Sequence, residues 1–308
     1  STDADRGVPR IVEEQPAAAR ADHERHGHVG ARTVTVVAVP QVACGAVLVE
    51  SWTGLAEAGF IPYVYSIVTF ASLRGYEFIR NGPVLHQLPV RIIGIGGGFE
   101  YGHAGHTHHG LEDIGVMRLQ PGLTVIAPAD HLQARAAILS TWNRQGPIYF
   151  RLGKDDKTEV RGLDGRFDLG RLDLIGDGPD LVLVVSGSIS SEVMLAAQMM
   201  SDQGISTTVA VVSSFNPAPR SDLAEVLRRF PVALTVEAHY VDGGLGSLVA
   251  EVIAEEGLHC RLVRCGVRGM PGGVSGGTDY LHRLHGIDCG SIVTSAREAV
   301  QAKVWARR

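Results

Sequence analysis

Val90-Arg91-Ile92-Ile93-Gly94-Ile95 runs directly into Gly96-Gly97-Gly98-Phe99-Glu100-Tyr101-Gly102-His103-Ala104-Gly105-His106-Thr107-His108-His109-Gly110 and then into Leu111-Glu112-Asp113. The first six residues are mostly β-branched and apolar, the texture of a strand buried on both faces. The last three open a segment of helical character, with Glu112 and Asp113 in the first turn, where the helix dipole favours negative charge. A strand, a glycine-rich loop and a helix in that order put the loop at the carboxyl end of a parallel sheet. α/β proteins build their ligand sites there.

The same alternation spreads outward in both directions. Strand-like runs fall at 33–39, 61–66, 123–127 and 148–152, with helix-like stretches around 69–79, 111–119 and 129–142 between them. Pro128-Ala129-Asp130 starts the last of these: proline ends the strand, and Asp130 can accept from the free N–H groups of the first turn. Residues 154–171 are polar and carry Gly162, Gly165 and Gly170, the composition of a connection between domains. Alternation then resumes with strands at 181–186, 207–212 and 233–236 and helices at 190–200, at 220–229 and after Gly243. The expected fold is therefore α/β: two consecutive three-layer domains with mostly parallel sheets. Their expected limits are 33–155 and 173–308, joined by a linker at 156–172 and preceded by a loosely held leader at 1–32.

The chain of 308 residues is long enough for two cores, and with aromatics at only 6% those cores must be built from Val, Leu, Ile and Ala. A net charge of -5 gives no reason to expect nucleic acid or an anionic membrane as partner. The apolar runs are strand-length, too short to span a bilayer, and the polar start lacks the apolar core of a secretory signal. Four cysteines with no Cys-x-x-Cys pair read as reduced thiols, so the expected location is cytoplasmic.

Three readings of the 96–113 loop compete. Four histidines suggest zinc, but no carboxylate or thiol is spaced to complete a shell, so no metal is assigned. A histidine-rich surface turn is the second. The third is a family. Gly54-Leu55-Ala56-Glu57-Ala58-Gly59-Phe60-Ile61-Pro62, Thr69-Phe70, Gly105-His106-Thr107-His108, Glu112-Asp113, Met117-Arg118, Pro121-Gly122-Leu123-Thr124-Val125, Pro128-Ala129-Asp130 and Gly146-Pro147-Ile148-Tyr149-Phe150-Arg151 occur in order. Together they resemble the pyrimidine-binding domain of transketolases and 1-deoxyxylulose-5-phosphate synthases. Val236-Glu237-Ala238-His239, Gly243-Gly244-Leu245-Gly246-Ser247 and the segment 276–286 resemble the C-terminal domain of the same family.

The resemblance implies a transferase that moves a two-carbon ketol unit from a ketose or ketose-phosphate donor to an aldose acceptor by means of thiamine diphosphate. Phe70 matches the aromatic that stacks on the coenzyme's pyrimidine, and Ile67, one turn earlier, makes that wall aliphatic. His108 matches the histidine that approaches the reacting groups, as a catalytic and substrate-binding residue. His106 beside it replaces a small residue of the family, and Arg151 matches an arginine that binds sugar phosphate. Glu237 and His239 are expected to be supports rather than catalysts.

Departures matter equally. Ala104 stands where the family holds the donor with an acid, and Gly96 where it has a phosphate-side histidine. The glutamate that activates the coenzyme should lie nine residues before Gly54, at Gly45; the nearest acid is Glu50, so Glu50 is the candidate for that catalytic role. The match begins abruptly at Thr53-Gly54, an edge that a shifted reading frame or a replaced segment would leave.

Full-length relatives bind the diphosphate through Mg²⁺ with a Gly-Asp-Gly motif opening a helix. Here Gly176-Asp177-Gly178 precedes a strand instead, and Asp177 reads as a turn residue. The implied assembly is a split enzyme, most simply α2β2. An N-terminal subunit holds Mg²⁺ and the diphosphate, and this chain is its C-terminal partner. The alternatives are a non-catalytic partner subunit of such an enzyme and the beta subunit of a 2-oxo-acid dehydrogenase.

Overall fold

The computed structural model describes residues 34–38 and 46–305. Two sheets organise them. The first contains β1 (Val34–Ala38), β2 (Ile61–Ile67), β3 (Arg91–Ile95), β4 (Thr124–Ile126), β5 (Ile148–Leu152) and β9 (Ser214–Asn216), in the order β1-β2-β3-β5-β4-β9. The second contains β6 (Leu172–Ile175), β7 (Leu181–Val185), β8 (Thr207–Val212), β10 (Val232–Tyr240) and β11 (Arg261–Val267), in the order β11-β10-β7-β8-β6. Pairing is parallel except at two edges: β6 runs against β8, and β9 runs against β4. The fold is thus α/β with two mostly parallel sheets and helices on both sides of them.

The helices are α1 (Ala46–Glu57), α2 (Tyr76–Ile79), α3 (Asp113–Arg118), α4 (His131–Thr141), α5 (Ser190–Ser201), α6 (Arg220–Arg229), α7 (Leu245–Glu255), α8 (Thr278–His285) and α9 (Cys289–Trp305). β7 shows why a run of unbroken hydrophobics becomes a central strand. Successive side chains point to opposite faces. Leu181, Leu183 and Val185 enter the core shared with Val193, Ala196 and Met200 of α5. Val182 and Val184 enter the core shared with Leu223 and Leu227 of α6 and with Leu248 and Val252 of α7. Asp130 caps α4 as its type suggests, accepting from the Gln133 amide at 2.8 Å.

The two halves are not separate beads. Both large cores contain residues of each half: Val64, Ile92 and Val125 share one with Val182 and Ala210, and Phe99 and Leu111 share the other with Val236 and Leu281. β9 arises after β8 yet completes the first sheet beside β4. The stretch 156–172, expected as a linker, is folded in turns with Val160 and Leu163 buried. Gly176, Asp177 and Gly178 lie between β6 and β7, and no helix follows them before β7. Among the described residues no helix is long and apolar enough to cross a membrane. The expected leader at 1–32 and Gly45 lie outside the described residues.

Candidate active site

The carboxyl ends of β2 and β3 deliver two segments to one place. After β2 the chain turns into a helical stretch that is π-helical at Phe70–Arg74, α-helical at Tyr76–Ile79 and π-helical again at Arg80–Val84. π turns widen a helix by one residue per turn and are common where a side chain must be re-aimed. After β3 the glycine-rich loop begins. Its neck is closed by Gly98 and Gly110, which exchange both backbone hydrogen bonds at 2.8 and 2.9 Å. Between them lie two 3₁₀ turns, Gly102–Ala104 and His106–His108.

The neck is seated on the β2 turn. A Cβ on Gly110 would lie 2.7 Å from Val68 Cγ1, so only glycine permits the approach. That contact brings His108 edge-on to Phe70, with ring centroids 5.1 Å apart and an interplanar angle of 72°. Arg74, four residues after Phe70 and so on the same helical face, places its guanidinium 4.4 Å from the Phe70 centroid. His108 is half-buried, and its Nδ1 lies 2.9 Å from Thr107 Oγ1. An aromatic face beside a half-exposed imidazole can grip a flat heteroaromatic ring and exchange a hydrogen bond or proton at its rim.

Other expected site residues sit elsewhere. His106 is exposed and its nearest ring partner is His109, with centroids 6.1 Å apart. Ile67 is only 5% exposed, packed inside rather than presented as an open wall. Glu50 belongs to α1, and its side chain lies outside the described residues.

Arg151 requires a correction. It is 4% exposed, and its donors are spent on protein: Nε on Asp113 at 3.0 Å, and Nη2 on the carbonyls of Gly110 and Ala238, both at 2.9 Å. A guanidinium so engaged has no fork to offer a sugar phosphate. Asp113 is 1% exposed and also accepts from the Tyr149 hydroxyl at 2.8 Å.

Glu237 and His239 are buried supports. The Glu237 carboxylate accepts from the Leu245 and Gly246 amides at 2.7 and 2.8 Å, capping α7. Burial raises its pKa to about 7, against the opposing pull of those two amides. His239 accepts from the Gly115 amide through Nε2 at 3.2 Å, and its Nδ1 lies 2.7 Å from the Tyr240 carbonyl. Burial lowers its pKa, so it is held neutral.

Some functional neighbours escaped sequence reasoning. Gly96 has φ +77°, and the Tyr101 ring fills the space a side chain there would need, so a histidine at this position is excluded. Lys154 lies with Nζ 4.2 Å from the Tyr101 centroid and donates to the Glu100 carbonyl. The Glu100 carboxylate accepts from the Ser188 hydroxyl and the Lys154 amide, tying the loop to the second half, and burial raises its pKa. Arg74 carried a legible signal, its spacing from Phe70. Tyr101 and Glu100 carried none, since their partners come from distant segments. Among the described residues no group of three His, Cys, Asp or Glu could hold a metal ion.

Comparison with known proteins fits this geometry. Residues 47–158 match the family described as transketolase, pyrimidine binding domain, and residues 170–292 match transketolase, C-terminal domain. The chain is similar to one of the two subunits of the apulose-4-phosphate transketolase of Actinobacillus succinogenes, at 33% identity over 81% of this chain and 80% of that protein. It is also similar to the 6-deoxy-6-sulfo-D-fructose transketolase subunit SqwH of a Clostridium species, at 33% identity over 81% of this chain and 77% of that one. A solved structure described as a split gene transketolase, inactive beta4 tetramer, superposes with a TM-score of 0.73 at 32% identity, over 83% of this chain and 81% of that one.

Proposed function

From the premise that this chain belongs to the transketolase family, as a C-terminal subunit of the split kind, we propose that it supplies the pyrimidine-side wall of a thiamine-diphosphate site completed by a second chain. That second chain is an N-terminal subunit that contributes Mg²⁺ and the diphosphate cradle, in an α2β2 assembly. The reaction is transfer of a two-carbon ketol unit from a sugar or sugar-phosphate donor to an aldose-type acceptor. The observation that carries the reading is the Phe70–His108 pair, 5.1 Å apart at the carboxyl edge of a parallel sheet. Support comes from two relatives named as transketolase subunits, which match this chain over most of their own lengths.

The residues present fit an aminopyrimidine. Phe70 offers a ring to stack on. Next to it in the chain, the buried hydroxyls of Ser66 and Thr69 have no hydrogen-bond partner among the described residues, capacity that a polar ring edge or water can use. Thiamine diphosphate, when bound, supplies the electron sink for breaking the donor's carbon–carbon bond. This chain orients and polarises. With Nδ1 of His108 engaged by Thr107, its Nε2 is the nitrogen left for a substrate hydroxyl or carbonyl.

The test is co-purification with the chain encoded next to it, followed by coenzyme binding and ketol transfer by the complex and by each part. Activity of the pair alone supports the proposal; turnover by the isolated chain with Mg²⁺ and coenzyme overturns it. A second reading, a subunit that binds without turnover, is favoured by Gly45 standing where the activating glutamate is expected. Coenzyme binding by the complex without donor cleavage would select it.

A further inference from the structure

The buried cluster under the glycine-rich loop does more than fill space. Tyr149, Asp113 and Arg151 are 0%, 1% and 4% exposed, and they form one bonded row. The Tyr149 hydroxyl donates to Asp113 Oδ2, and Arg151 Nε donates to the same carboxylate. Arg151 Nη2 then holds two carbonyls at once, Gly110 in the loop and Ala238 at the end of β10. The row therefore starts in β5, passes through the first residue of α3 and ends on the second half of the molecule.

Its place explains what it controls. Gly110 stands two residues after His108, and its Cα rests on Val68, two residues before Phe70. Ser72, two residues after Phe70, hydrogen-bonds through its side chain to Tyr149. Both members of the Phe70–His108 pair are thus anchored to the same row, one through Ser72 and Val68, the other through the Gly110 carbonyl. The second half clamps the loop from behind at further points. Tyr240 N donates to the Leu111 carbonyl at 2.9 Å, Gly276 N to the Gly102 carbonyl at 3.2 Å, and Thr278 Oγ1 to the Phe99 carbonyl at 3.2 Å.

We propose that Arg151, acting with Asp113 and Tyr149, is a positioning residue that sets the spacing between His108 and Phe70 by fastening the loop neck to the second half of the chain. The inference rests on reading Phe70 and His108 as the coenzyme-facing wall. It gives the second half a role in the site although none of its side chains joins the pair. Lysine in place of Arg151 keeps the charge but cannot bond Asp113, Gly110 and Ala238 together, because that takes a planar fork of donors.

The test uses the full chain and does not require coenzyme. His108 lies edge-on to Phe70, so its ring protons carry a ring-current shift readable by NMR. Arg151→Lys and Tyr149→Phe should move those resonances toward the values of a free histidine, the lysine variant further. Val193→Ala, a cavity in the core beside α5, destabilises the chain elsewhere and should leave them in place. In the co-purified complex, Arg151→Lys should weaken thiamine diphosphate binding by about tenfold, as expected when a binding wall shifts by a fraction of an ångström. Unmoved His108 resonances in a folded Arg151→Lys variant overturn the proposal. Should that variant fail to fold, Tyr149→Phe decides in the same way, since it removes one hydroxyl and no volume. A wild-type complex that never binds the coenzyme defeats the proposed function and leaves the NMR result standing on its own.

Discussion

Two connections in this molecule occupy the same topological position and have opposite character. The loop after β3 and the turn after β10 both leave the carboxyl end of a parallel strand, both are glycine-rich, and both carry acids and histidines. In the first, His108 is half-buried, beside an aromatic ring. In the second, Glu237 and His239 are 2% and 1% exposed and spend their polar atoms on backbone amides and a carbonyl. Residue type and position alone therefore do not mark a reactive site. What separates the two is whether the backbone consumes the side chain's hydrogen bonds. The first loop is held by its backbone and by Arg151, which leaves His108 open. The second turn is held by Glu237 and His239 themselves.

The sharpest way to break this contrast is to remove one histidine or acid from each side. His108→Ala in the assembled enzyme should cut ketol transfer by about a thousandfold, the range of a lost proton-handling group, with the melting temperature nearly unchanged. Comparable activity in the variant would place the chemistry elsewhere. Glu237→Ala should do the reverse, costing about 3 kcal/mol in urea denaturation because two buried amides lose their acceptor. A small loss would mean that water reaches the start of α7.

pH sharpens the comparison. The folded pKa of Glu237 is raised to about 7, above its ordinary value. The folded state therefore holds that proton more tightly than the unfolded chain does. The contribution is complete below about pH 4.5 and is lost as pH rises through about 7. Glu237→Gln should flatten the fall in thermal stability over that window; an unchanged slope would assign it to other groups. The smallest effect belongs to the ring. Phe70→Leu keeps most of the apolar surface but loses the stacking face, and should weaken coenzyme binding to the complex by about tenfold, read by titration calorimetry.

The parallel sheets were legible because β-branched runs such as 181–185 admit no other buried arrangement. Both antiparallel edges escaped. β6 reads as polar linker, with Asp173 in its middle, and β9 is three residues whose pairing partner lies some ninety positions upstream. α8 and α9 were read only as a closing segment, because histidines and glycines interrupt their apolar period. In the site, Phe70 and His108 were legible from motif and spacing, and the structure brings them together. Arg151 misled because an arginine at a strand end has the same sequence signature whether it faces a ligand or a buried aspartate. Burial decides between those, and burial is a property of the whole fold. Ile67 misled for the same reason.

β9 has a consequence for motion. Because a strand drawn from beyond β8 finishes the first sheet, the two halves cannot swing apart like jaws on a hinge without stripping β4 of its neighbour. A bared strand edge recruits stray chains. Admission of a substrate must then be governed by side chains at the mouth, and a truncation ending ahead of Ser214 should yield an aggregating product even though residues 47–158 look self-sufficient on paper.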